Sequence, residues 1–154
     1  MTWLKKNISL IITILLVALV IAFFAWQIAK APKLETSDVI SKNGLHWHST
    51  LTIKIKGETL TIPAEIGLGA VHNPMHTHET DNVIHMEYPG LVTKKDLTLG
   101  RFFEVWNKKF DQNCIFENCA SEKNKLTMLV NGEANSDFEN YQMKDGDKIE
   151  LIYE

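Results

Sequence analysis

The stretch HWHSTLTIKIKGETLTIPAEI, residues 46–66, decides how the fold is read. Its odd positions Trp47, Leu51, Ile53 and Ile55 are apolar, while His46, His48, Thr50, Thr52, Lys54 and Lys56 alternate with them. Side chains on a strand point to alternate faces, so this period of two predicts a half-buried strand with His46 and His48 turned away from the core. Lys56-Gly57-Glu58 turns the chain back into a second strand through Leu60 and Ile62, with Pro63 near its end.

Further along, NVIHMEY (82–88) predicts a third strand, with Ile84, Met86 and Tyr88 on one face and Val83, His85 and Glu87 on the other. PGLVTKKD breaks it, and LTLGRFFEVWNKKF (97–110) then sets Leu99, Phe102, Phe103, Trp106 and Phe110 along one helical stripe. Leu126, Met128 and Val130 mark another strand, and Ile149, Leu151 and Tyr153 a closing one; Asn131-Gly132 and Asp145-Gly146 are turn dipeptides. One amphipathic helix packed on a mixed sheet is an α+β architecture.

Toward the amino terminus lies a different kind of segment. Ile8 to Ala29 carries no charge, proline or glycine, and as a helix rising about 1.5 Å per residue it is long enough to cross a hydrocarbon core of about 30 Å. A cleaved signal peptide is the competing reading, since Lys5 and Lys6 precede the run. Its length exceeds the usual h-region, and the small-residue site Ala29-Lys30-Ala31 is followed by Pro32, so an uncleaved signal anchor is expected over 1–30. Lys5 and Lys6 against Lys30 and Lys33 place the amino terminus in the cytoplasm and the rest outside, with Trp3 and Trp26 as interfacial anchors. The expected organisation is a single-pass anchor contacting the bilayer through residues 8–29, a polar linker over 31–43, and an extracytoplasmic domain over 44–154.

From Thr36 onward the chain has 18 acidic and 12 basic side chains, a net charge of −6, and no Lys/Arg cluster interleaved with aromatics. That composition argues against nucleic acid as a partner and against docking on anionic lipid. Cys114 and Cys119, the two cysteines, are close enough in sequence to form a local disulfide in an oxidising compartment; a thiol metal site or redox pair is the competing reading, without a C-x-x-C spacing to support it.

Four of the six histidines fall in HNPMHTHETDNVIHM, residues 72–86, and the other two are His46 and His48. In an extended chain the i and i+2 positions of an H-x-H pair share a face, so His46 with His48, and His76 with His78, can each present two imidazoles to one ion. His85 lies on the non-core side of its own strand. These five residues are the expected metal ligands, with copper or zinc as the ion. Met75, in what reads as an exposed loop, Glu79 and His72 are further candidates, His72 standing alone before Asn73-Pro74.

Two resemblances follow from these motifs. LTLGRFFEVW, LTMLVNG and YQMKDGDKIELIY together resemble the helix and last two strands of β-grasp domains, in particular the small sulfur carriers related to ubiquitin. The resemblance implies a β-grasp-like fold over about the last third of the chain; the Gly-Gly tail that sulfur carriers activate is replaced by Ile152-Tyr153-Glu154, so that activity is not implied. The run His46-Trp47-His48, Ile62 to Gly67, His76-Thr77-His78, Thr98 to Phe103, and Asn131-Gly132 with Gly146-Asp147 also resembles a largely uncharacterised group of membrane-anchored, His-rich extracytoplasmic proteins of archaea and bacteria. That resemblance implies no particular activity.

The expected function is a membrane-anchored metal-binding module, acting alone or as an accessory subunit of a larger membrane complex. Two other readings stay open: a His-ligated metalloenzyme with an open metal position, and a non-metal structural subunit. His76, His78 and Glu79 partly echo the cupin signature, but the glutamate follows at once where cupins leave several residues between, and the Gly/Pro-rich second cupin motif is missing.

Overall fold

The computed structural model describes residues 2–30 and 36–154, the side chains of residues 2–6 excepted. The parts played by Trp3, Lys5, Lys6, Ala31, Pro32 and Lys33 lie outside the described residues. Two units form: one at the amino terminus, the other from Thr36 to Glu154. The first contains helix α1, Thr2–Lys30. Its span Asn7–Lys30 is long and apolar enough to cross a membrane, and its apolar stretch is not buried against the rest of the described residues. At its end the Lys30 ammonium sits 4.1 Å from the centre of the Trp26 ring.

The second unit is a mixed α+β layer. Its strands are β1 (Val39–Ser41), β2 (Leu45–Ile55), β3 (Glu58–Leu60), β4 (Met75–His76), β5 (Val83–Tyr88), β6 (Val92–Thr93), β7 (Cys114–Ile115), β8 (Asn118–Cys119), β9 (Leu126–Val130), β10 (Glu133–Asn135) and β11 (Lys148–Tyr153). The main sheet runs β10-β9-β11-β2-β5-β4, with β3 also beside β2. β2 and β11 are parallel at its centre, Leu51 facing Ile149 and Ile53 facing Leu151, and every other pairing is antiparallel. Of the stretch expected as linker, 31–35 lies outside the described residues and Val39–Ser41 pairs with β6.

The alternation expected for β2 and β5 holds: Leu51, Ile53, Ile84 and Met86 are buried, in one cluster with Ile149, Leu151 and Met128. Lys56 and Gly57 both have positive φ, the geometry of a two-residue type I′ hairpin between β2 and β3. β3 stops at Leu60, earlier than expected, because β5 occupies the rest of the same β2 edge; Ile62 is buried beyond the strand's end.

The helix is also shorter than its apolar stripe. α2 covers Leu99–Val105, capped at its start by the Thr98 hydroxyl, which accepts from the Arg101 N–H. Asn107, at φ +55°, ends it: its N–H donates to the Glu104 carbonyl while the Lys108 N–H donates to that of Phe103. These two bonds form a Schellman cap, and asparagine is one of the few side chains at ease in the left-handed conformation it needs. Phe110 therefore reaches the core from the following loop, stacked on Phe103 at 4.4 Å between ring centres.

A buried carboxylate shapes the closing turn. Asp147 accepts from the Tyr141 hydroxyl at 2.7 Å, the Lys144 N–H at 2.7 Å and the Asn131 side-chain amide at 3.0 Å. Burial and the Asp147 hydrogen bond push the Tyr141 hydroxyl's pKa up, keeping it a donor. Cys114 and Cys119 face each other across the β7–β8 hairpin and form a disulfide.

Asp147→Ala should lower unfolding stability by about 2–4 kcal/mol, since it leaves three donors around a buried site without their acceptor; urea denaturation checks this, and a loss within 0.5 kcal/mol of zero, about the size of an ordinary surface change, would contradict it. Replacing both Cys114 and Cys119 by serine should cost about 2 kcal/mol from loop entropy alone and leave metal uptake unchanged, which the same denaturation plus metal analysis would read.

Candidate metal centre

The pairing of three neighbouring strands builds the site. In the β2–β5 ladder His48 stands opposite His85 and His46 opposite Glu87; in the β5–β4 ladder His76 stands opposite His85. One row across the sheet thus reads His48, His85, His76, and Glu87 and His46 lie in the adjacent row on the same non-core face. His76 is a strand residue rather than part of a loop. His78 follows two positions later, its ring centre 4.6 Å from those of both His76 and His85.

Each H-x-H pair closes on itself. The Nε2 atoms of His46 and His48 are 3.2 Å apart, and those of His76 and His78 are 3.1 Å apart. An ion bound tetrahedrally by imidazoles at about 2.0–2.1 Å holds neighbouring nitrogens about 3.3–3.4 Å apart, so both pairs stand near ligand spacing. Glu87 Oε1 lies 3.4 Å from His46 Nε2 and 3.6 Å from His85 Nδ1. Among the described residues two sets of four offer ligand atoms all within 4.8 Å of one another: His46, His48, His85 and Glu87, and His76, His78, His85 and Glu87.

The site's inner side is rigid for reasons legible in the bonding. His76, 1 % exposed, donates from Nδ1 to the Asn73 carbonyl at 3.0 Å, which fixes the neutral tautomer and turns the Nε2 lone pair toward His78 Nε2. The fully buried Thr77 ties this segment to the Ile62–Gly67 stretch: its hydroxyl donates to the Pro63 carbonyl and accepts from the Ile66 N–H, and its own N–H donates to the Ile66 carbonyl. Gly67 has φ +77°, and a Cβ there would come within 2.7 Å of the Met75 carbonyl, so only glycine allows this approach. On the other wall the His48 N–H donates to the Asp145 carboxylate at 2.9 Å and its carbonyl accepts from the Gly146 N–H at 2.7 Å.

Burial and imidazole neighbours set the electrostatics. Desolvation lowers the pKa of His76, against a smaller opposing effect of the Asn73 hydrogen bond. Desolvation first, and then His48, His78 and His76, lower that of His85. His85 Nδ1 is buried without a hydrogen-bond partner among the described residues. Both imidazoles are therefore held in the neutral form that metals require.

Three expected further candidates fall elsewhere. Met75 is not an exposed loop residue: it pairs with Met86 in β4, is 0 % exposed and faces the core, because it alternates with His76. Glu79 is exposed and outside both sets, and so is His72, although its ring centre is 5.0 Å from that of His76. Glu87, which the sequence places on the same strand face as His85 without its being counted among the expected ligands, is a member of both sets. Beside the cluster an open depression of about 770 Å³ is lined in part by His46, His72, His76, Glu87 and Tyr88. The disulfide leaves neither cysteine free as a thiolate ligand. No family model, curated protein or solved structure matches the chain.

The depressed pKa values carry a sign. The unfolded chain takes up protons on these histidines from about 6.5 downward, before the folded chain does, so the stability of the metal-free protein is complete above that value and falls as pH drops below it toward the folded-state values. The urea midpoint of the metal-free chain should be lower at about pH 5.5 than at about pH 7.5, and an equal midpoint would show that the imidazoles are not kept neutral by the fold.

Proposed function

We propose that the protein is a membrane-anchored, extracytoplasmic module that binds copper or zinc through its histidine cluster. The observation that carries this reading is the meeting of His46, His48, His76, His85 and Glu87 on the non-core face of three strands, with His78 joining them from just beyond β4. Chance exposure scatters polar residues; here five imidazoles pack against one another with ring centres 4.6–5.5 Å apart. Without an ion each H-x-H pair can close through an N–H···N hydrogen bond, and the same nitrogens, with one carboxylate beside them, suit zinc or copper. Burial of Met75 in the core removes the thioether that would have tilted the site toward copper(I).

The anchor and compartment rest on separate support. The apolar span Asn7–Lys30 supports an uncleaved helix in the bilayer, and the lysines at its start support a cytoplasmic amino terminus. The disulfide supports an oxidising environment for residues 36–154. The central parallel strands β2 and β11, with β3 on one side and β9 on the other, follow the strand order of a β-grasp sheet and support that fold resemblance. Such a module would buffer or hand on an ion at the membrane surface, alone or within a larger membrane complex.

One observation favours a second reading, a metalloenzyme: the depression beside His46, His76 and Glu87 gives a small molecule access to the histidine cluster. Coordination by protein ligands alone, read from the X-ray absorption of the zinc-loaded chain, would exclude it.

The full chain, purified in detergent without a polyhistidine tag, should bind zinc(II) or copper(II) and gain about 2.7 kcal/mol of stability at a hundredfold excess over Kd. His85→Ala with Glu87→Ala, which removes the ligands common to both sets, should weaken binding at least about 100-fold. A chain whose melting temperature ignores both metals would instead be a non-metal subunit.

A further inference from the structure

The two ligand sets overlap only in His85 and Glu87, while His46 and His48 belong to one and His76 and His78 to the other. β5 lies between β2 and β4, so the shared residues sit in the middle and each H-x-H pair stands on its own flank. Each pair already spans one edge of a coordination tetrahedron, at 3.2 Å and 3.1 Å. A single four-coordinate ion on either pair would leave the other pair joined only by its N–H···N contact, with the same ligand spacing still unused. Six ligands divide more naturally as two pairs, with a carboxylate that both can share and one further imidazole between them.

Resting on the metal-binding reading above, we propose that the cluster holds two ions. One is bound by His46 and His48, the other by His76 and His78; Glu87 is the shared ligand at the centre, and His85, whose neutral ring has one lone pair, serves one ion only. A carboxylate has two oxygens and can take one ion on each, as in other two-metal sites, and Glu87 belongs to both sets. His85 Nδ1 is buried without a hydrogen-bond partner among the described residues, a polar atom whose desolvation a nearby cation would offset. The charge of a second cation is tolerable here because both ends of the cluster meet solvent: the side chain of His46 is 63 % exposed, and His78 is exposed as well. The flanks differ in kind. His76 is buried and its tautomer is set by Asn73, whereas His46 and His48 form the more open side, so the inner position should fill first.

Native mass spectrometry of the tag-free full chain in detergent, titrated with zinc(II) and separately with copper(II), decides the matter. The expected result is two ions per chain, taken up in sequence. His46→Gln with His48→Gln should leave one, the tighter; His76→Gln with His78→Gln should also leave one, the weaker. Since His76 is buried, circular dichroism of that second variant checks that it folds, and the first variant and the parent chain carry the test without it. One ion per parent chain, lost on changing either pair, would overturn the two-ion arrangement while leaving the metal-binding reading intact. No ion at either metal would overturn both.

Discussion

An eleven-residue strand paired along both edges has little freedom of register, and β2 is held in this way by β11 on one side and by β5 and β3 on the other. Sliding it by a single residue against its neighbours would turn Leu51 and Ile53 to solvent and drive His46 and His48 into the core. Hydrophobic burial on one face therefore sets the position of the histidines on the other. At about 25 cal/mol per Å² of apolar surface, two buried aliphatic side chains already outweigh anything gained by a slipped histidine pair. The site is precise because the opposite face is packed.

Much of this could be read from alternation alone. Trp47, Leu51, Ile53 and Ile55 set against His46 and His48, and Ile84 and Met86 set against His85, gave the face of each histidine, and the turn dipeptides Asn131-Gly132 and Asp145-Gly146 fell where the chain reverses. Alternation says nothing about which strand lies next to which. That His48 stands opposite His85, and His85 opposite His76, depends on pairings between residues 37 and 9 positions apart, and β4 is only two residues long, too short to leave a period. For the same reason Met75 read as loop. A two-residue strand has one inward side chain and one outward, and only its partner shows that Met75 is the former. The end of α2 was hidden differently: the apolar stripe continues to Phe110, and the single signal for stopping was Asn107, a residue that tolerates both helix and left-handed cap.

The motifs that stood out as a string of short words in the sequence turn out to be parts of two clamps. Ile62 to Gly67 and His76-Thr77-His78 belong to one, joined through the Thr77 hydroxyl and backbone. Asn131 and the Gly146-Asp147 turn belong to the other, joined through the Asp147 carboxylate, and that turn grips His48 by both its N–H and its carbonyl. Each clamp serves one wall of the cluster. Polar groups distant in sequence thus do for the backbone what the core does for the side chains: they restrict it to the arrangement in which imidazole nitrogens meet.

The parallel pairing of β2 with β11 also imposes an order of assembly. β11 follows every histidine in the chain, yet it lies at the centre of the sheet and its preceding turn holds His48. Contacts so far apart in sequence form late, because a long loop must close before they repay its entropy. A chain emerging from synthesis therefore carries all of its imidazoles before it has a wall to hold one of the pairs in place. The last strand to arrive is the one that completes the wall behind His48 and so the histidine cluster.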